Sequence, residues 1–145
     1  VAENEGDAGR LYFLAREYAR AGEYARAIET GERFLSIAPD LGLDVCEAYG
    51  ILATAAERMG DVQASLRYLL RALELQPHRR VWFIRMADLY TREGLHEIAF
   101  AYLSAARALT LRIGDHDDPR LITCGLARRY DECQWKIRGN NVGDS

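Results

Sequence analysis

The stretch 114-GDHDDPR-120 is the part of the chain richest in groups that could bind a metal, with three aspartates and a histidine. Asp115 and Asp117 stand one residue apart, and carboxylate oxygens suit hard divalent cations. A catalytic pair of this kind ends a strand beside a nucleotide-binding sheet, and no strand pattern precedes this one. Asp118-Pro119 is typical of a helix start, where acidic groups suit the free N–H groups and the dipole. The stretch is therefore predicted to be a loop and helix cap, with no metal.

No other set of residues has the spacing of a catalytic site. None of the three histidines stands at a recognisable spacing from a carboxylate and a nucleophile. The sequence contains no G-x-x-x-x-G-K-[ST] phosphate loop. The cysteines at 46, 124 and 133 form no C-x-x-C pair, which argues against zinc and favours reduced thiols. We therefore expect a chain that is not itself an enzyme and holds no cofactor.

Composition narrows the class of partner. The 145 residues carry a formal net charge of −3 and a pI of about 5.6, whereas a nucleic-acid surface is normally basic. No apolar run approaches the ~20 residues of a membrane span. The acidic, polar start VAENEGDAGR does not look like a signal peptide. We expect a cytoplasmic protein without nucleic acid or membrane span.

Three segments of the chain align on Gly22, Gly60 and Gly94. In each segment an apolar residue and a small residue precede the glycine by eight and seven positions, as Leu14 and Ala15 precede Gly22. Gly60 and Gly94 are 34 residues apart, and Gly22 and Gly60 are 38 apart. Apolar residues before each glycine recur at helical spacing, and glycine permits a tight turn. The pattern predicts helix pairs, with second helices that start near Glu23, Asp61 and Leu95.

This period resembles the tetratricopeptide repeat, which has two helices in about 34 residues. The resemblance implies an all-α, right-handed α-solenoid of about three helix-turn-helix units in a single domain, 1–145. A terminal helix must cover the last apolar face of such an array, and we expect Leu121, Ile122, Leu126, Tyr130 and Trp135 to do so. The predicted repeats are 8–41, 46–79 and 80–113, followed by a capping segment 118–138 and a frayed tail 139–145.

A narrower similarity concerns the repeats found beside family-2 glycosyltransferase domains in bacteria. The block 11-LYFLAREYARAGEYARAIETGERFL-35 and the junction 77-PHRRVWF-83 are similar to segments of those modules, as are 108-ALTLR-112 and Tyr130-Asp131. The junction departs from the family pattern at Val81 and Trp82. A transferase domain is absent from these residues, so the resemblance implies an accessory repeat region whose catalytic domain lies elsewhere.

The first helices of the repeats are predicted to line a concave groove. The groove interleaves arginines with aromatic and aliphatic groups, and arginine pairs with carboxylates and stacks on aromatic planes. It would suit a protein or peptide partner with an acidic or amphipathic segment, although arginines near helix ends can simply pair with neighbours such as Glu17. The predicted groove residues are Tyr12, Phe13, Arg16, Arg20, Glu47, Ile51, Thr54, Arg58, Ile84, Arg85, Asp88 and Arg92.

The sequence argues against one specific binding mode of repeat domains. Some repeat domains clamp a chaperone's C-terminal carboxylate with a lysine and two asparagines, but those positions hold Tyr12, Arg16 and Gly50. That class of partner is therefore not expected. The main expectation is a non-catalytic interaction scaffold, and an alternative is a homo-oligomer formed through an exposed apolar face near Leu121 and Trp135.

Overall fold

The computed structural model of the chain describes residues 2–37, 43–109 and 119–143. The aspartate-rich residues 115–118 lie outside the described residues. Every regular element within the described ranges is an α-helix, which confirms the predicted all-α class. The helices are α1 (Ala2–Arg20), α2 (Tyr24–Ile37), α3 (Leu43–Arg58), α4 (Val62–Leu75), α5 (Arg80–Arg92), α6 (His96–Ala108) and α7 (Pro119–Gly143).

In each of the three helix pairs, the turn between the two helices contains the predicted glycine. Gly22, Gly60 and Gly94 have φ values of +83°, +82° and +79°, which only glycine adopts readily. The second helix of each pair begins one residue after the predicted start. At α4 the side chain of Asp61 accepts a hydrogen bond from the backbone N–H of Ala64 at 3.1 Å, an N-cap.

The helices group into two compact units, unit 1 (Val1–Gln76) and unit 2 (Pro77–Ser145). In unit 1, α2 packs against α1 and α3, α3 packs against α4, and α1 also contacts α3. In unit 2, α6 packs against α5 and α7, and α5 also contacts α7. The division falls between Gln76 and Pro77, within the last residues of the second predicted repeat, 46–79. The single repeat domain stays a prediction.

Small residues stand where the two helices of each pair touch. Ala27, Ser65 and Ala99 occupy matching places in the three second helices, and all three are 0% exposed. The hydroxyl of Ser65 on α4 donates to the carbonyl oxygen of Ala53 on α3 at 2.8 Å. A buried hydroxyl needs such a partner, so this bond allows a polar residue to serve as a spacer.

The first and last helices are longer than the sequence indicates. Helix α1 begins at Ala2, before the first predicted repeat, and α7 continues to Gly143, through most of the predicted frayed tail. Each helix is anchored within its length, α1 by Ala8 at 1% exposure and α7 by Cys133 at 4%. Once a helix is nucleated, each further residue adds one hydrogen bond. The additional turns follow from these buried anchors.

Arg80, which the sequence placed in the junction 77–83, has a structural role. It is 8% exposed, and its Nε–H donates to the carbonyl oxygen of Ala106 at 2.9 Å. We expect Arg80→Met to lower the free energy of unfolding by about 1–2 kcal/mol, because a hydrogen bond from a buried charged group is lost. Urea unfolding followed by circular dichroism measures this loss. The exposed Arg33→Met is the control, and equal effects from both variants would contradict the assignment.

Candidate functional site

The face of α1 in unit 1 combines an exposed ring with a cation. Phe13 is 52% exposed, although the side chain is large and apolar. The guanidinium carbon of Arg16 lies 5.7 Å from the Phe13 ring centroid and 5.9 Å from that of Tyr12. Both distances permit cation–π attraction. We refer to Tyr12, Phe13 and Arg16 as the Arg16 cluster.

The Arg16 cluster rests on the core of unit 1. The Tyr12 ring packs against Phe34 of α2, with centroids 5.5 Å apart and planes tilted by 54°. Phe34 is 1% exposed and belongs to one apolar cluster with Val45 and Ala48 of α3. Close packing holds buried side chains in single rotamers. Phe34 therefore fixes the position of the Tyr12 ring in the Arg16 cluster.

Arg16 has hydrogen-bonding capacity that the described residues do not use. Its Nε lies 4.0 Å from Oε1 of Glu17, which permits Coulomb attraction but is too long for a hydrogen bond. This Nε is buried and has no hydrogen-bond partner among the described residues. Glu17 is instead engaged by Arg20, whose Nη1 lies 3.2 Å from the same oxygen. Arg20 thus pairs with its neighbour Glu17, whereas the Nε of Arg16 forms no hydrogen bond with a described residue.

Helix α3 supplies the other predicted groove residues of unit 1. Glu47, Ile51 and Thr54 are half-buried, and Arg58 is exposed in the last turn of the helix. The Thr54 hydroxyl donates to the carbonyl oxygen of Gly50 at 3.1 Å, so its proton is already engaged. The structure brings these positions into one unit with the Arg16 cluster, because α1 and α3 contact each other.

In unit 2 the predicted groove residues of α5 have different environments. The prediction that Ile84 lines the groove is wrong. Its side chain is 8% exposed and belongs to the apolar core with Ala87 and Leu103. It therefore stabilises the unit and does not line an open surface. Arg85 is half-buried, with its guanidinium carbon 5.8 Å from the Trp82 ring, and Arg92 is exposed.

Asp88 is engaged by the capping helix. Arg129 of α7 donates from Nε to Oδ1 of Asp88 at 2.9 Å and from Nη2 to Oδ2 at 3.2 Å. This bidentate geometry is the strong form of an arginine–carboxylate pair. Both side chains are about two-fifths exposed, at 40% and 38%, so solvent and salt weaken the pair. Part of the predicted ligand surface of α5 is thus used within the protein.

A pocket of about 80 Å³ lies between α5, α6 and α7. The thiol of Cys133 forms part of its wall and donates to the backbone carbonyl oxygen of His96 at 3.0 Å. Burial raises the pKa of Cys133, outweighing the opposite effect of Lys136, so the thiol stays protonated and a poor nucleophile. In the described part of the chain, no three His, Cys, Asp or Glu side chains lie close enough together to hold a metal ion. The pocket is lined by Asp88, Thr91, Leu103, Arg129, Glu132, Cys133 and Lys136.

Comparison with known proteins supports the repeat assignment. Residues 47–79 match the tetratricopeptide repeat family, and no curated protein sequence matches the chain. None of the helices in the described ranges is long and apolar enough to cross a membrane. The repeat match covers α3 from Glu47 onwards, the turn at Gly60 and all of α4.

Several solved structures share the fold at low sequence identity. The Yersinia enterocolitica type III secretion chaperone SycD, in complex with a peptide of the translocator YopD, has a TM-score of 0.73 and 15% identity, over 89% of this chain and 93% of that one. Yeast Tom70 has a TM-score of 0.73 and 19% identity, over 97% of this chain and 26% of that one. A MamA protein has a TM-score of 0.70 and 22% identity, over 99% and 70%. The chain thus carries a tetratricopeptide repeat at residues 47–79 and has the fold of tetratricopeptide-repeat proteins.

Proposed function

We propose that the chain is a non-catalytic interaction module that binds an acidic or amphipathic peptide segment on the α1–α3 face of unit 1. The observation that carries the proposal is the Arg16 cluster, in which an exposed aromatic ring adjoins a guanidinium on a side chain that is 40% exposed. A peptide carboxylate would pair with the exposed part of this guanidinium. A neighbouring apolar side chain of the peptide would cover Phe13, and aromatic and arginine side chains commonly dominate binding energy.

The fold supports this function in a general way. Tetratricopeptide repeats are interaction modules, and SycD was solved with a bound peptide of the translocator YopD. The buried thiol of Cys133 stays protonated and is a poor nucleophile, which agrees with a non-catalytic role. The remaining predicted groove positions, including Arg85 and Arg92 of unit 2, are proposed as secondary contacts.

The test is a selection from a random-peptide phage library, followed by fluorescence polarisation with the enriched peptides. We expect enriched peptides to combine carboxylates with an apolar residue. Arg16→Glu should weaken their binding by about tenfold or more, equivalent to ~1.4 kcal/mol, because an attractive charge becomes repulsive. Arg33→Glu makes the same charge change on α2 of the same unit and should leave binding unchanged. Equal losses in both variants, or no enriched peptide, would contradict the proposed site.

The association with a family-2 glycosyltransferase is a second proposal, supported by the sequence resemblance in residues 11–35 and 77–83. In the segment 77–83, Arg80 has a structural role, because its side chain donates a hydrogen bond to Ala106 within unit 2. The presence of arginine at this position therefore has an explanation that does not involve a glycosyltransferase. If the association exists, a family-2 catalytic domain should be encoded in the same chain or co-purify with it. Cytoplasmic location is likewise a proposal that rests on sequence composition.

A further inference from the structure

Helix α7 has an exposed stripe on the face opposite its packing residues. Trp135 is 72% exposed, the largest exposure among the large apolar side chains described. Asp131 and Arg138, four residues before and three after it, are exposed as well. Residues at these spacings share one side of a helix. The packing side carries Leu126 and Cys133, which are 6% and 4% exposed. We refer to Asp131, Trp135 and Arg138 as the Trp135 stripe.

The two charges of the stripe are exposed to water and are not used in ion pairs within the described residues. Neither Asp131 nor Arg138 forms an ion pair with another residue that the structure describes. On the same helix, Arg128 and Glu132 pair with each other at 3.0 Å. The stripe thus presents a large indole between an available negative charge and an available positive charge. Tryptophan and arginine are the residue types most enriched among those that dominate binding.

We propose that the Trp135 stripe binds the same stripe of a second copy of this chain, with the two α7 helices antiparallel. Along the helix axis Asp131 lies about 6 Å to one side of Trp135 and Arg138 about 4.5 Å to the other. In an antiparallel pair centred beside Trp135, Asp131 of each copy therefore lies opposite the partner's Arg138. The two indoles meet between two identical ion pairs, which is the self-complementarity that a two-fold interface requires.

The charge order selects the antiparallel arrangement. In a parallel pair Asp131 would lie opposite Asp131 and Arg138 opposite Arg138, and like charges in apposition repel. One helix on each side contributes to the contact, so the buried area falls below the ~1,200 Å² of standard stable interfaces. We expect a weak dimer whose population rises with concentration. The interface lies on unit 2 and does not depend on peptide binding by unit 1.

Sedimentation velocity over a concentration series tests the interface. The wild-type mass should rise towards that of a dimer, and Trp135→Ala should weaken association by about tenfold or more. Asp131→Arg should weaken it by a similar factor because two attractive pairs become repulsive. The exchange of both charges, Asp131→Arg with Arg138→Asp, should restore dimerisation. A heterologous surface would not recover on exchange, so failure of the double variant would overturn the proposal.

Cross-linking tests the geometry independently. Trp135→Cys removes the indole and weakens the dimer, so oxidation is carried out at the highest protein concentration of the series. In the proposed dimer the two thiols then lie beside the symmetry axis, where a disulfide forms under mild oxidation if the Cα atoms are within about 7 Å. Ala127→Cys, also exposed on α7, would place its thiols about 24 Å apart in the same dimer and should not cross-link. Circular dichroism of each variant separates loss of folding from loss of contact. A wild-type chain that remains monomeric at every concentration, or equal cross-linking at both positions, would overturn the proposal.

Discussion

Phe34→Ala is expected to lower the free energy of unfolding by about 3–5 kcal/mol, the range for truncating a buried phenylalanine. Phe34 is 1% exposed and joins α2 to the apolar residues of α1 and α3. Truncation leaves a cavity that three packed helices can close only in part. Urea unfolding followed by circular dichroism measures the loss. Phe34→Leu retains most of the volume and should cost less than about 1.5 kcal/mol.

The same substitution should also affect the proposed binding face. The Tyr12 ring rests on Phe34, and Arg16 lies over Tyr12, so the cavity removes the support of the Arg16 cluster. Phe13→Ala is the matched control, because Phe13 is exposed and its removal should change stability by about 0.5 kcal/mol or less. Phe13→Ala should nevertheless weaken peptide binding. Equal stability losses in Phe34→Ala and Phe13→Ala would contradict the packing described for unit 1.

Gly60→Val is expected to lower the free energy of unfolding by about 2 kcal/mol. Gly60 has a φ of +82°, and L-residues in this region cost about 1–3 kcal/mol, with β-branched side chains at the upper end. A Cβ at this position would meet no atom within 4 Å. The expected loss therefore reports backbone strain and not a steric clash. Thermal unfolding followed by circular dichroism measures it.

Gly9→Ala is the control for this prediction. Gly9 lies inside α1 with ordinary helical φ, and a Cβ there would also meet no atom within 4 Å. Alanine in a helix interior is favoured over glycine by about 0.5–1 kcal/mol, so Gly9→Ala should stabilise the protein. If Gly60→Val proved neutral, the positive φ and the alignment of the three helix pairs on their glycines would both be wrong.

Local patterns in the sequence predicted the elements that local physics determines. The glycines at 22, 60 and 94 and the capping Asp61 locate turns and helix starts to within one residue, because φ preference and capping act over a few residues. The end of α7 could not be located in this way, since its length depends on buried anchors such as Cys133.

The candidate site could be predicted only in part. Helical spacing placed Tyr12, Phe13 and Arg16 on one face of α1, but it could not show that Ile84 is buried by α6 and α7 residues. It also assigned Trp135 to the covered face of the capping segment, whereas the indole is exposed. The spacing of Leu126, Tyr130, Cys133 and Ile137 was the available signal for the face of α7 that packs.

The small residues between paired helices bear on how far such a sequence can diverge. Ala27, Ser65 and Ala99 bring backbones together, so the separation of each helix pair depends on the absence of a large side chain at one position. Most outward positions are then free to change without moving the helices. Chains of the same fold share only 15% to 22% identity with this one. In this chain, substitutions on the outward faces could therefore change the binding surface while three small side chains keep the helix pairs at the same separation.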